Sequence, residues 1–566
     1  MSSFFTIPKK RKRPEGPDRP ESGSKKRSGE SSTASRTFKK GPARDESISG
    51  SDDESDAGPQ IEEDPDSSSS SDGEEETAAE KRLRLAERYV EGLRTSVQET
   101  HGFDAEEIDR DLIAERLIED VAESKGLLYR TIASELQFET AGHSWFKTDR
   151  ENFTGVAVCK PYAYTVTKDL WLEKWRVQEL GRDQWKPKGG KKRKQKKPPP
   201  PPKRKPDVLL RVRGDSRRKG DNSYQGHTNR ILCVAASEDG RFVVTGGEDW
   251  KIIVWNASTL KPLRVFNQHR ASVTGLVFRR GTNQLYSSSK DRTVKVWSLD
   301  ELAYIETLFG HQDEVADIAA LAQERCISVG ARDRTGRLWK VAEETQLVYR
   351  GGGGEKKSKS KQGAIEGSMD RVAQVDDEMF VTGGDNGSVC LWTIHKKKPV
   401  YTLSLAHGSD PVMASDEASA EVDPGKRTVP EPQPRWITAL ATIPYSDVVL
   451  SGSWDGSLRA WKISADKKKL EPMGAVGSPG ESPTPTGPPT TNGNSTAHIN
   501  GHSQSSGFEV KGVINDIALF ERGEKGKDGV CVVIAVGKEH RLGNWMRDKS
   551  SRKNGAVVFE ISRKEL

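Results

Sequence analysis

An all-β fold, in which seven four-stranded sheets stand radially as a propeller, is what this 566-residue chain predicts. Three observations carry that expectation. The chain repeats with a basic unit of 42 residues lengthened by inserts, three of the repeats hold a His, an Asp and a Trp at the same spacing, and the segments between alternate with the period-two pattern of strands. Only 33% of the residues are hydrophobic and 31% are charged, so part of the chain is expected to build no core.

The first 76 residues supply that part. They are rich in Ser, Gly, Pro and charge, and they read as a disordered tail. Residues 1–44 carry a local charge of +9 and residues 45–76 one of −14. Two basic clusters, Lys9, Lys10, Arg11, Lys12 and Arg13, then Lys25, Lys26 and Arg27, are spaced as a nuclear import signal. Serines placed before acids (Ser49 to Asp56, Ser67 to Glu76) suit an acid-directed kinase as well as they suit a plain solubilising spacer.

A helical segment is predicted over 77–126. Thr77 and Glu80 form a capping box, and Leu83, Ala86, Val90, Leu93 and Val97 make one apolar stripe. A second stretch near 104–124 places Ile108, Leu112, Leu117, Ile118 and Val121 on one side. Each stripe needs cover, from the same chain or from a partner.

The propeller is predicted over 127–566. Its plainest units are His227, Thr245, Asp249 and Trp255; His269, Ser287, Asp291 and Trp297; and His311, Asp333 and Trp339. In all three the Asp follows the His by 22 residues and the Trp follows the Asp by 6. This is the WD-repeat (WD40) pattern. A further unit holds Ser451, Asp455 and Trp461, and an earlier one His143, Thr165, Asp169 and Trp175. Two degenerate units end in Trp392 and Trp545, with Asn386 and Glu539 at the Asp place and no Gly-His before the first of them. Val329 and Ala535 are read at the hydroxyl place of blades four and seven. Extra length falls in loop-like inserts near 180–220, 351–365, 408–434 and 465–508. Two ring closures stay open: the strand at 557–561 completes blade seven alone, or an N-terminal strand near 130–138 clasps it.

The repeated His, hydroxyl, Asp and Trp are expected to form a hydrogen-bonded tetrad inside each blade. Recurrence argues for a structural role, because an active site is normally built once. No other catalytic set, phosphate loop or cofactor motif is found, and the five scattered cysteines form no metal pattern, so no enzyme, cofactor or metal is expected. No apolar run nears the ~20 residues of a membrane span. Function is therefore expected at the loop rim, where residues beside the repeated Asp are mostly basic: Arg292, Arg332, Arg334, His540 and Arg541 are the candidates for RNA or partner binding. A basic arm, with Lys191, Lys192, Arg193, Lys194, Lys196 and Lys197 ahead of a Pro run, could reach an RNA backbone. A nuclear adaptor for histone or acidic tails, binding no RNA, is the competing reading.

Several strings go beyond the generic repeat: Arg279 to Tyr286, Glu306 to Asp313, Gly330 to Arg334, Lys538 to Trp545, and Glu80 to Val90. They resemble the U3 snoRNA-interacting protein 2 family, WD-repeat proteins of the U3 small nucleolar ribonucleoprotein, in a fungal-like form with extra inserts. The resemblance implies a nucleolar, non-catalytic protein in the nucleus that binds the box B/C region of U3 snoRNA. It implies a neighbouring kink-turn-binding subunit, other small-subunit processome proteins as partners, and a role in 18S rRNA maturation. It also implies a monomer within a large ribonucleoprotein and no membrane contact.

Overall fold

The computed structural model describes residues 128–564 except 147–151, 182, 185–202, 222, 352–366, 413–428, 430, 478–509, 524–525 and 544–551, plus five helical positions between 114 and 122. The tail, the stripe at 77–97 and the basic arm at 191–197 lie outside the described residues. Of the second helical stretch, Ala114, Arg116, Leu117, Ile118 and Ala122 are helical.

Among the described residues, twenty-eight strands form seven four-stranded antiparallel sheets. Six blades use consecutive strands. Their innermost strands are Phe153–Cys159, Ile231–Ala236, Val273–Phe278, Val315–Ala320, Arg371–Gln374 and Ile437–Thr442. Blade seven is built from both ends of the chain. Val513–Arg522, Gly529–Gly537 and Gly555–Ile561 run outward, and Gly142–Phe146 pairs antiparallel with the last, with His143 opposite Phe559.

That closure corrects three expectations. The clasping strand is 142–146, whereas 130–138 makes only isolated bridges, Arg130 with Ser446 and Leu136 with Arg563. His143 therefore belongs to blade seven and leaves blade one without its histidine. The third strand of blade seven is 555–561, so the segment leading to Trp545 is not that strand; Trp545 itself lies outside the described residues.

A sheet hydrophobic on both faces is stable only between two others. Seven apolar clusters meet this need, one at each contact between adjacent blades. Between blades two and three, for example, Val244, Val254 and Phe266 pack on Val273, Leu285 and Trp297. The seventh contact joins Val533 and Val558 of blade seven to Phe153 and Trp175 of blade one. All five cysteines are free, and burial pushes the Cys233 thiol up to about 12, out of its reactive range.

Candidate functional site

Each blade's interior is pinned by the predicted side chains. In blade three the Trp297 indole N–H donates to Ser287 Oγ (2.9 Å), Ser287 Oγ lies 2.8 Å from His269 Nε2, and His269 Nδ1 lies 2.8 Å from Asp291. One hydrogen assignment satisfies every contact: indole N–H to hydroxyl, hydroxyl to Nε2, Nδ1–H to carboxylate. Blade two repeats it with Trp255, Thr245, His227 and Asp249. Burial holds His269 below its ordinary pKa, so the imidazole is neutral. Burial opposes ionisation of Asp291, but hydrogen bonds from His269, Thr293 and the Arg270 N–H outweigh it and keep the carboxyl ionised.

Blade four uses Ser328, not Val329. Ser328 Oγ accepts from Trp339 (2.7 Å) and meets His311 (2.8 Å), while Val329 is buried against blade five. Ser328 stands opposite Arg337 as Ser287 stands opposite Lys295, so the turn to Asp333 is one residue longer. Blade six holds a histidine that the spacing concealed. His407 meets Ser451 (2.8 Å) and Asp455 (3.5 Å), with the insert at 408–434 separating them. Burial raises the Asp455 pKa, yet the hydrogen bond and charge of His407, with Ser457, bring it down to about 2. In blades one and five only the indole bond persists, Trp175 to Thr165 (2.8 Å) and Trp392 to Thr382 (2.9 Å).

Ser287, His269 and Asp291 thus have the connectivity of a hydrolase triad, but Ser287 is fully buried and its oxygen already accepts from an indole. No substrate reaches it. The rim singled out from the sequence is the face where the Asp turns emerge.

On that face the residue after each Asp or Asn is left-handed in six blades: Leu170, Trp250, Arg292, Arg334, Gly387 and Gly456, with φ between 53° and 79°. Glycine suits this backbone; a larger residue costs roughly 1–2 kcal/mol. Blades one to four nevertheless place large side chains there. Arg292 and Arg332 are exposed, Arg334 is half-buried, and Trp250 is 53% exposed.

His540 and Arg541 sit elsewhere than expected. Both are buried near the axis. Arg541 donates to the carbonyls of Thr274 (2.7 Å) and Ala316 (3.2 Å), while its N–H meets Asn515. Arg371 reaches the Thr438 and Asn515 carbonyls and faces Asp317 (3.5 Å) and Asp516 (3.8 Å). Burial and the neighbouring Arg371 bring Arg541 from 12.5 to about 10, so it stays cationic. His540 is pushed far below 6.5 by burial, then by Arg541, and stacks on Trp436 at 5.1 Å. A neutral buried imidazole is no phosphate ligand. The spacing to Trp545 pointed to a rim turn, whereas the 538–543 loop folds inward as an axial plug.

Fold and repeated tetrads define the class: a WD-repeat propeller. The sequence signature "WD domain, G-beta repeat" matches residues 220–256, 260–298 and 427–462. A WD repeat-containing protein of Schizosaccharomyces pombe is 41% identical over 86% of this chain and 85% of its own length. Ribosomal RNA-processing protein 9 of Saccharomyces cerevisiae is 34% identical over 85% of this chain and 89% of its own. U3 small nucleolar RNA-interacting protein 2 of Homo sapiens is 31% identical over 86% and 82%. A crystal structure of RRP9 WD40 repeats covers 75% of this chain and 100% of its own, at 30% identity and a TM-score of 0.54. The chain belongs to the family of ribosomal RNA-processing protein 9 and U3 small nucleolar RNA-interacting protein 2.

Proposed function

We propose that this chain is a nucleolar, non-catalytic scaffold of the U3 small nucleolar ribonucleoprotein. It binds the box B/C region of U3 snoRNA beside a kink-turn-binding subunit and supports 18S rRNA maturation within the small-subunit processome. The observation that carries this reading is the alignment, across more than four-fifths of the chain, with relatives named for rRNA processing and U3 RNA interaction. The loop face agrees with it chemically. Exposed Arg292 and Arg332 with Arg334 offer charge to an RNA backbone, and a buried Ser-His-Asp set offers no turnover. His540 and Arg541 drop out of the contact set and act by holding blades three, four and seven together at the axis.

Ultraviolet crosslinking followed by sequencing of the copurified RNA tests the reading. It should return one abundant small nucleolar RNA, and reversing charge at Arg332 and Arg334 should reduce the yield. Recovery of mixed messenger fragments, or of no RNA, would favour the protein-tail adaptor instead.

A further inference from the structure

One cleft on the loop face differs from the rest of the rim. It encloses about 470 Å³, within the roughly 300–1,000 Å³ of small-molecule sites. Phe309, at the end of blade three's outer strand, forms one wall; at 70% exposure it is the most exposed large apolar side chain among the described residues. Arg270, Arg292 and Lys295 bring three positive charges to the same cleft. The one carboxylate lining it, Asp291, is already engaged by His269 (2.8 Å), the Arg270 N–H (3.0 Å), the Thr293 N–H (3.0 Å) and the Thr293 hydroxyl (2.6 Å). Its charge is therefore spent inward, and the cleft faces solvent as a cationic surface. Arg292 is held there at φ 68°, a conformation that blades five and six give to glycine.

We propose that this cleft holds one unpaired nucleotide of a bound RNA, its base against the Phe309 ring and its phosphate between Arg270 and Arg292. The inference rests on the RNA reading above and narrows it to a place and a chemical class. A phosphate alone would need only the cations. A flat, solvent-facing aromatic beside them is what an unstacked base requires, since every base presents a π-face and the contact tolerates any sequence. Lys295 lies at the floor, donating to Thr307 (2.6 Å), with two further N–H groups to offer. Burial lowers its pKa, a cost that an arriving anion relieves.

The test uses the full-length protein and a U3 box B/C RNA carrying 5-iodouridine at its unpaired positions. Long-wavelength irradiation should attach the RNA to the peptide containing Phe309. Phe309→Ala should weaken binding on the order of tenfold, and Phe309→Tyr should restore it. Arg270→Ala and Arg292→Ala should each lower the slope of log affinity against log salt by about one. Thermal melts of the variants matching the parent establish that the ring is intact, as expected for solvent-facing positions. Crosslinks mapping elsewhere, with Phe309→Ala binding RNA like the parent, overturn the nucleotide cleft and leave the RNA reading standing. A parent protein that binds no RNA overturns both. If Phe309→Ala weakens only an acidic peptide probe, the cleft is a protein site and the inference is wrong.

Discussion

Ser287 accepts a hydrogen bond from Trp297 and meets His269, all three side chains buried, whereas Thr165 in blade one serves a single indole. Two orphaned polar groups cost more than one. Ser287→Ala should therefore lose about 2–4 kcal/mol in denaturant unfolding and Thr165→Val about 1–2 kcal/mol. Equal losses would mean that the histidine adds nothing. Asp370 behaves differently. Burial, helped by Asp385 and opposed by Ser368, Trp436 and Arg371, raises its pKa from 3.8 to about 6. Between pH 4 and 6 the native state binds the extra proton, so its stability falls as pH rises through that window and stays reduced above it. Asn removes the titration but keeps an acceptor for Ser368 and Trp436 (2.7 Å). Asp370→Asn should gain little at pH 4 and on the order of 3 kcal/mol at pH 7 in a pH series of melts. A gain independent of pH would place the Asp370 charge elsewhere. At this scale the sequence was most legible where the His-to-Asp interval is uninterrupted. It concealed His407 behind an insert, and it misplaced the blade-four hydroxyl because one additional turn residue shifts Ser328 relative to Asp333.

Among the elements, the strand 142–146 has a role out of proportion to its length. Its five residues pair with 555–561, and its Phe146 packs on Trp175 at 4.7 Å within the contact between blades seven and one. Beginning the chain at 147 would bare the edge of 555–561 and open that cluster. The truncated protein should melt lower and lose cooperativity in calorimetry, and adding a peptide of the missing segment should recover part of the loss. A melt like the parent's would show that six apolar contacts suffice without a closed ring. The closing strand was hard to read because Gly142 and His143 mimic the start of a repeat; pairing with residues some 400 positions away is invisible to local spacing. The axial plug at 538–543 was hidden similarly. Its Glu, His and Arg are the residue types of a rim turn, whereas the carbonyls of Thr274 and Ala316 across the axis, with Asn515, hold Arg541 inward.

For the whole molecule, seven apolar contacts of one kind explain why the architecture was legible from seven tryptophans although the seventh, Trp545, precedes the third strand of its blade at 555–561. Each of the other six indoles lies in the third strand of its blade, is buried, and donates to a hydroxyl on the second. The surface was less legible because exposure depends on how loops fold, and the charge of Arg292 and Arg541 says nothing about which faces solvent. Deleting residues 1–76 should leave the melt of the ring unchanged while lowering nuclear accumulation of a fluorescent fusion. Loss of the melt on that deletion would make the tail part of the fold.

Because the first strand of the ring waits for the last, the ribosome imposes an order on assembly. At roughly 5–20 residues per second, His143 leaves the tunnel some 20–80 s before Phe559 follows it. Throughout that interval the nascent chain is an unfinished arc with an uncovered apolar flank at each end. Arrival of the strand 555–561, rather than the folding of any one earlier sheet, completes the circle, and chaperones have that long to act.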